Sequence, residues 1–383
     1  MRTIITGAAV LIAIEALAAP PLLFEKRPAV RIANEKIEFL VLPEGAMIAS
    51  ATLRDDTSGL NPLWNPARMD REAHSTNPRN DGFTGHFLAL DGFGPPSEDE
   101  KAAGLTMHGE ATRREFALDS SYTNREGVYV FSTDLPIAQE RLTRTLRLRD
   151  GEQVLQVDTE VESLLGFDRP VFWAEHATVG SPFLEPEFTV VDMPAAKSKT
   201  RPYAEGSPDA ARRRLAPDTE FKWPLAPLVS GKFVNLRAAP AKPGSMDHTA
   251  SQMDPARPIA FVTVLNTRRH FLLGYLFRTA EYPWVQNWES YPDASRLARG
   301  LEFGTQPFDT PRREAVSAGS LWGTPWFRFL SARGKVTSRF IMFYARVPAG
   351  LASVDDVRLE KGAVVIEDAV AKITVKLPTK AEL

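Results

Sequence analysis

Hydrophobic and polar residues alternate along much of the chain with the two-residue period of a β-strand. In the clearest run, residues 141–149, leucines share one parity and every odd-numbered position is polar. Because successive side chains of a strand point to opposite faces, such a run buries one face and leaves the other in water. A second alternating run, residues 155–161, follows an Asp-Gly turn dipeptide. Together the two runs predict an antiparallel hairpin.

Similar strand-like runs recur along the chain, whereas amphipathic helical stretches are scarce and short. The further runs are residues 36–42, 46–54, 112–118, 127–133, 258–265, 271–278, 337–346 and 363–376. Residues 55–84 and 192–257 have no regular period and predict long loops over one face or end of the fold. Nothing in the composition marks a linker. The pattern therefore predicts one large all-β domain, an antiparallel β-sandwich, over residues 20–383.

The first 19 residues have the pattern of an export signal. Arg2 supplies a positive charge, the residues up to Ile14 are mostly apolar, and residues 16–18 have the small-x-small form of a cleavage site. The apolar run is shorter than the roughly 20 residues that a membrane-spanning helix needs. We expect residues 1–19 to be a signal peptide and the mature protein to be periplasmic or secreted. An uncleaved anchor and an ordinary first helix are the alternatives.

Composition and charge exclude several classes of function. Lys and Arg number 46 against 48 Asp and Glu, a balance that argues against a nucleic-acid partner. The chain has no cysteine, which excludes disulfides and thiolate catalysis. It also lacks the phosphate-binding, serine-hydrolase and zinc-protease signatures. Acid–base chemistry near neutral pH would draw first on the six histidines.

Two histidines and one glutamate have distinctive neighbours. His108 precedes a glycine, which lets the backbone approach a ligand closely. His176 follows a strand-like run, and Glu302 lies among apolar residues between two glycines, where burial would raise its pKa. Taken singly, each also fits an ordinary structural role, as a turn histidine, a core histidine and a carboxylate at the end of a strand.

Taken in chain order, these motifs resemble the galactose mutarotase-like, or aldose 1-epimerase, superfamily, in an uncharacterised exported bacterial branch. In that family a His-Gly pair, a second His after a strand and a Leu-Glu-x-Gln-x-x-Pro-Asp-like segment occur in this order. The matching residues here are Met107-His108-Gly109, His176, Leu301-Glu302, Gln306, Phe308 and Asp309. The resemblance covers roughly residues 35–345 and implies the large antiparallel supersandwich of that family.

The resemblance also implies a reaction, the interconversion of the two anomers of a sugar, without a metal or organic cofactor. It assigns Glu302 as the base on the anomeric hydroxyl and His176 as the acid at the ring oxygen. His108 would support that oxygen by a hydrogen bond or a shared proton. The expected partner is a small sugar or the end of a glycan.

Sugar recognition needs an aromatic surface and partners for the hydroxyl groups. Trp284 and Trp288 are candidates for stacking on a pyranose, with the sandwich core as their alternative place. Arg79, Asn287 and His86 are candidates for hydroxyl contacts. The basic triplet at residues 212–214 is expected to form a solvated face.

Two other functions remain open on the same scaffold. One is a carbohydrate-binding protein without catalysis. The other is a polysaccharide lyase, which would need a cation beside a uronate carboxylate, and Arg79, Arg113 and Arg114 are the candidates. The mutarotase hypothesis requires that the side chains of His108, His176 and Glu302 meet in one pocket.

Overall fold

The protein is described from a computed structural model, over residues 21–79, 81–121, 127–203, 210–240 and 242–383. The predicted signal peptide, residues 1–19, lies outside these ranges, so the division into a signal peptide and a single domain stays a prediction. None of the helices in the described ranges is long and apolar enough to cross a bilayer.

Short and long strands make up most of the regular structure. In chain order the strands are β1 Leu23–Phe24, β2 Arg27–Pro28, β3 Val30–Ala33, β4 Ile37–Leu42, β5 Met47–Leu53, β6 His86–Leu90, β7 Ala117–Leu118, β8 Val128–Leu135, β9 Glu140–Leu148, β10 Val154–Ser163, β11 Arg169–Val171, β12 Trp173–Gly180, β13 Thr189–Asp192, β14 Ala195–Thr200, β15 Glu220–Phe221, β16 Leu225–Pro227, β17 Phe233–Asn235, β18 Ser245–Met253, β19 Ile259–Asn266, β20 Phe271–Arg278, β21 Trp284–Tyr291, β22 Ala298–Gly304, β23 Ser320–Leu321, β24 Thr324–Pro325, β25 Arg328–Leu330, β26 Lys335–Arg346, β27 Asp356–Glu360, β28 Ala363–Asp368 and β29 Ile373–Pro378. The α-helices are α1 Pro66–Glu72, α2 Glu98–Ala102 and α3 Arg312–Ala318, and two 3₁₀ helices span Ala111–Arg113 and Ala210–Arg212.

Two large antiparallel sheets form the body of the protein. One has ten strands in the order β15-β14-β18-β21-β22-β12-β6-β5-β4-β3, and the other has eight in the order β13-β19-β20-β26-β10-β9-β8-β7. Their facing side chains pack into one apolar core, where Phe303 of the ten-stranded sheet contacts Tyr275 and Phe340 of the other. The predicted all-β antiparallel sandwich is confirmed.

The hairpin predicted from the alternating leucines is β9 and β10, which pair with Leu148 opposite Leu155. Arg144 lies on the buried leucine face of β9 and is fully enclosed, because it meets a carboxylate from the other sheet. Its guanidinium Nη2 lies 2.8 Å from Oε2 of Glu175 in β12. His86 Nε2 hydrogen-bonds the same oxygen at 2.9 Å. This buried cluster links the two sheets.

The last three strands cover the outer face of the eight-stranded sheet. Strands β27, β28 and β29 form a sheet of their own. Its apolar side chains, including Val357 and Ile366, pack with Leu272, Ile341 and Phe343 of the larger sheet. The eight-stranded sheet is therefore buried on both faces over this area, while the cavity described below lies on the opposite side of the sandwich.

The prediction of a long loop over residues 192–257 is wrong, because strands β14 to β18 lie within this stretch, and the longest of them is β18. This strand of nine residues lies inside the ten-stranded sheet between β14 and β21. The hydrophobic pattern does not reveal β18, because the residues on both of its faces are largely polar. Asp247 is buried in contact with Arg214, and Ser251 hydrogen-bonds Ser198. These polar side chains find partners inside the protein, so the strand needs no apolar period.

Candidate functional site

The face of the ten-stranded sheet that points away from the core carries a cavity of about 260 Å³. His108, His176 and Glu302 all line it. The other side chains around it include Trp64, Arg79, Phe83, Phe87, Phe93, Met107, Arg201, Tyr203, Arg213, Met246, His248, Trp288 and Asp309. The three residues that the sequence put forward as an acid–base centre therefore share one pocket.

Strand register brings His176 and Glu302 together. The two residues are directly opposite each other in the pairing of β12 with β22. Gln286 is opposite Glu302 in β21, and Phe87 is opposite His176 in β6. Side chains that are opposite in an antiparallel pair lie on the same face with Cβ atoms about 5 Å apart. A row of four side chains thus crosses four strands on the cavity face.

The imidazole of His176 is held on both nitrogens and on one ring face. Its Nε2 lies 3.0 Å from Oε1 of Glu302, and its Nδ1 hydrogen-bonds the Thr178 hydroxyl at 2.8 Å. The ring of Phe87 stacks on it with centroids 4.2 Å apart. Only 6% of His176 and 2% of Glu302 is exposed. The acid–base pair is therefore fixed in direct contact and shielded from bulk water.

Gly300 makes room for the Glu302 carboxyl group. It precedes Glu302 by two residues, so both lie on the cavity face of β22. A Cβ atom at position 300 would lie 2.2 Å from Oε1 of Glu302. The glycine on the other side, Gly304, has no space for a side chain because a Cβ atom would meet the Trp173 carbonyl oxygen at 2.8 Å. The two flanking glycines thus shape the strand around the carboxylate.

Burial shifts the pKa values of the pair in opposite directions. It raises the pKa of Glu302 well above its usual range, with the nearby Asp309 adding to the rise and Arg201 opposing it. Burial lowers the pKa of His176 well below its usual range, and His108 adds to this. Both directions favour a neutral pair, in which the proton is on the carboxyl group and the imidazole ring is uncharged. The pair then holds one proton and offers one acid and one base.

His108 is a neutral hydrogen-bonding group. Burial, with the charges of Arg79 and Arg113, lowers the pKa of His108 to about 3. The Gly94 N–H donates to its Nδ1 at 3.2 Å, so the hydrogen of the neutral ring is on Nε2. The ring centroid lies 5.1 Å from that of His176. His108 can therefore donate a hydrogen bond beside His176, but it carries no extra proton near neutral pH.

The glycine of the His-Gly motif serves loop packing. His108 has a φ of +62°, a conformation that residues other than glycine rarely adopt, and Gly109 has a φ of +83°. A Cβ atom on Gly109 would lie 2.0 Å from the carbonyl oxygen of Leu90 in β6. The His108 N–H donates to the Gly94 carbonyl oxygen at 3.0 Å and secures the turn. The motif lets the loop lie directly on the strand, and this holds His108 over the cavity.

A second polar cluster on the cavity wall was missed by the sequence reasoning. Arg201 Nη1 lies 2.6 Å from Oδ1 of Asp309, and His248 Nδ1 lies 3.4 Å from the same oxygen. His248 Nε2 hydrogen-bonds Oε1 of Gln286 at 2.7 Å, which ties the cluster to the row containing Glu302. Burial raises the pKa of Asp309 to about 6, against the effect of Arg201. Arg201 and His248 were missed because their segment was taken for a loop, although Asp309 belongs to the third motif.

The basic triplet is not the solvated face that was expected. Arg213 lines the cavity. Arg214 lies 2.6 Å from both the Asp247 and the Glu289 carboxylates, which are themselves buried. Two carboxylates in neighbouring strands thus draw this arginine onto the sheet, and the run of like charges in the sequence does not reveal it.

Two of the predicted sugar-contacting residues line the cavity. The guanidinium carbon of Arg79 lies 4.7 Å from the ring centroid of Trp64 and 6.0 Å from that of Trp288. Trp288 is half-buried and meets Trp64 edge-on, with centroids 6.1 Å apart. An indole and a guanidinium that both face the cavity match the apolar face and the hydroxyls of a sugar ring.

The other three predicted contacts do not reach the cavity. Trp284 is on the same face as Trp288 but lies under the β23–β24 hairpin, where its Nε1 donates to Pro325. Asn287 has the opposite parity and accepts from Nε of Arg299 at 2.7 Å inside the core. His86 likewise faces the core, where it meets Glu175. Each is close in sequence to a cavity residue, but strand geometry sends its side chain elsewhere.

Comparisons with known proteins agree with this architecture. No protein-family model matches the chain, and no curated protein matches it. A galactose mutarotase related enzyme from Lactobacillus acidophilus is 16% identical, covers 86% of this chain and 100% of its own, and has a TM-score of 0.54. A galactose mutarotase-like protein from Clostridium acetobutylicum is 13% identical, covers 85% and 97%, and has a TM-score of 0.56. A galactose mutarotase-like protein from Lactobacillus casei is 14% identical, covers 83% and 100%, and has a TM-score of 0.53.

These likenesses define the class of protein by its fold. The chain is an all-β supersandwich of the galactose mutarotase-like type, as the sequence motifs predicted. At identities this low the comparisons concern the fold, and the reaction has to be argued from the cavity.

Proposed function

We propose that this protein is an aldose 1-epimerase-type isomerase that interconverts the anomers of a reducing sugar. The observation that carries the proposal is the 3.0 Å contact between Glu302 and His176 inside a cavity that His108 also lines. The fold supports it as well, because proteins described as related to or like galactose mutarotase share the fold.

Mutarotation needs one acid and one base close together. The anomeric hydroxyl loses a proton while the ring oxygen gains one, and the ring then opens and recloses on the other face. Both oxygens are bonded to the same carbon, so two side chains in contact with each other can reach both. Because Glu302 and His176 together hold one proton, one of them is always the acid and the other the base.

We assign Glu302 as the base on the anomeric hydroxyl and His176 as the acid at the ring oxygen. In the neutral pair the proton is on Glu302, so it first crosses the 3.0 Å contact to Nε2 of His176. His108 then donates its Nε2 hydrogen to the ring oxygen region and stabilises charge there without being consumed. Ring closure returns both protons, so the cycle restores the pair. The absence of any cofactor requirement stays a prediction.

The sugar would lie between an aromatic side and a polar side of the cavity. Trp288 offers an indole surface, and the Arg201–Asp309 pair offers a donor and an acceptor for hydroxyl groups. Arg79 is the donor next to the indole. A mixed apolar and polar lining of this kind can position the anomeric carbon against the acid–base pair.

The test is anomer exchange measured by NMR across a panel of free aldoses. Wild-type protein should accelerate exchange for at least one sugar, and Glu302→Gln should reduce the acceleration by about 10²–10⁴-fold. The amide keeps the size of the carboxyl group, so sugar binding should change little. Glu314→Gln, an exposed site in α3, is the matched control and should behave like wild type. Equal acceleration by wild type and Glu302→Gln would disprove the proposed chemistry.

A sugar-binding protein without turnover is the second candidate. The same contact favours this candidate. Glu302 and His176 lie against each other in the cavity, and a sugar would have to displace that contact before either side chain could act on it. Binding of a sugar with no acceleration of exchange in the wild type would support this candidate. The lyase alternative has less support, since only Arg79 of its three candidate arginines lines the cavity.

We also propose that the mature protein works outside the bacterial cytoplasm, on the strength of residues 1–19. Fractionation of cells that produce the full chain, with mass spectrometry of the mature N-terminus, tests this. Recovery of the uncleaved chain in the cytoplasm would contradict it.

A further inference from the structure

A second cavity of about 140 Å³ lies directly beside the first. Trp64, Arg79 and Trp288 line both cavities. The two spaces therefore share one wall, and that wall consists of two indoles and one arginine side chain.

The shared wall combines two packed indole rings with one long, flexible side chain. Trp64 is almost fully buried and meets Trp288 edge-on, whereas the Arg79 guanidinium lies over both rings. The main chain of Arg79 is anchored, because its N–H donates to Oδ2 of Asp70 at 2.6 Å. Its guanidinium is paired with the Asp81 carboxylate, and both side chains are partly exposed. A ligand that displaces the guanidinium would break this surface pair but would not need to move the strand that carries Trp288.

Beyond the shared wall, the second cavity has both polar and apolar side chains in its lining. Asp70 and Arg296 form an ion pair there, with Oδ1 and Nη1 3.1 Å apart. Ser290 and Asn77 also line the space. Pro66, Met69, Pro292 and Ala298 add apolar surface to that of the indole rings. Apolar surface combined with hydroxyl, amide, carboxylate and guanidinium groups matches the apolar faces and the hydroxyl groups of a pyranose ring. The lining of the second cavity thus has the same chemical character as the lining of the first.

We propose that the second cavity binds a second sugar unit, so that the substrate is the reducing end of a disaccharide or a longer glycan. This inference rests on the proposed function of the first cavity. Ring opening requires a free anomeric hydroxyl on the sugar beside Glu302. The second unit must therefore be joined through another hydroxyl of that sugar, and it extends past Trp288 toward Asp70 and Arg296.

The experiment compares glucose and galactose with the reducing disaccharides maltose, cellobiose, lactose and melibiose. Binding is measured by calorimetry and anomer exchange by NMR. At least one disaccharide should bind at least 10-fold more tightly than its reducing-end monosaccharide, with a matching gain in kcat/KM. A panel in which no disaccharide binds better than the monosaccharides overturns the inference, whether or not exchange is catalysed.

Ser290 allows the second cavity to be filled selectively. It lines the second cavity, two residues beyond Trp288 on the same face of β21. Ser290→Phe should abolish the disaccharide preference and leave monosaccharide binding and exchange within about 2-fold. Ser290→Ala keeps the space open and should retain the preference. If Ser290→Phe does not fold, Asn77→Phe fills the same cavity from the loop side.

The two proposals fail in different ways. If the wild type exchanges monosaccharides but shows no preference for any disaccharide, the isomerase proposal stands and the second sugar site is disproved. A disaccharide preference in binding without exchange of any sugar would retain the second site on a binding protein. Equal losses for monosaccharides and disaccharides in Ser290→Phe, with Ser290→Ala normal, would show that the cavities are not separable and would overturn the inference.

Discussion

Gly300→Ala tests the acid–base pair directly, because it adds a single methyl group beside Glu302 and leaves the side chains of Glu302 and His176 chemically unchanged. The added Cβ atom would lie 2.2 Å from Oε1 of Glu302, where ordinary contact begins at 3.4 Å. Relief of that overlap moves the carboxyl group by about 1.2 Å. The carboxyl group then leaves its present position 3.0 Å from His176 Nε2.

The expected loss can be estimated from this displacement. Misplacement of a catalytic group by about 1 Å costs on the order of 10²-fold in rate. Gly300→Ala should therefore lower kcat/KM for anomer exchange by about 10²-fold. Its effect on stability should be small, since Gly300 lacks a positive φ and a Gly-to-Ala change at an unstrained position contributes only about 0.4–1 kcal/mol.

Anomer exchange by NMR and denaturant unfolding measure the two quantities separately. Gly166→Ala is the matched control, because position 166 is an exposed loop residue with open space around it. Wild-type activity in Gly300→Ala, with a normal fold, would refute the idea that the carboxyl group must stay in contact with His176. An equal loss of kcat/KM in Gly166→Ala would show that the loss in Gly300→Ala does not come from the overlap with Glu302.

Four further predictions concern charge and stacking. The rate of anomer exchange should stay constant across neutral pH. It should fall in acid, where His176 gains a proton, and in alkali, where Glu302 loses one. A bell-shaped pH profile centred on an ordinary histidine pKa would contradict this. Burial raises the pKa of Glu175 but Arg144 holds it at about 2, so the stability from this pair should be present above about pH 4.5 and lost as pH falls toward 2 in unfolding titrations. Glu175→Gln should cost about 3–5 kcal/mol, measured with denaturant, because it leaves a buried guanidinium without its anion. Trp288→Ala should weaken sugar binding about 10-fold, or 1.4 kcal/mol, and Trp288→Phe much less, as calorimetry can show.

The sandwich was predictable from the sequence wherever one face of a strand is apolar. The β9–β10 hairpin follows from its leucines, which point to the core. The β18 strand was not predictable in this way, because its core-facing positions include the buried polar residues Asp247, Thr249 and Ser251. With β18 taken for a loop, His248 could not be placed on the cavity wall.

The candidate site was predictable in its chemistry and less so in its surroundings. Chain order singled out His176 and Glu302, but their contact depends on β12 and β22 being neighbours, which no local pattern specifies. The alternation of side chains between the two faces of a strand would have improved the list of predicted sugar contacts. Once Trp288 faces the cavity, Asn287 must face the core, and the same rule separates His86 from the cavity residue Phe87.

Two buried glutamates on neighbouring strands have pKa values shifted in opposite directions, and the difference lies in their partners. Glu175 has the Arg144 guanidinium in contact and stays ionised, whereas Glu302 contacts a neutral imidazole and feels the like charge of Asp309. Asp309→Asn should therefore lower the pKa of Glu302 for two reasons. The repulsion from Asp309 disappears, and the charge of Arg201 is no longer balanced by its anion. The carbon-13 chemical shift of the Glu302 carboxyl group should titrate at lower pH, and the alkaline fall in anomer exchange should move with it. An unchanged titration in Asp309→Asn would show that burial alone keeps the proton on Glu302.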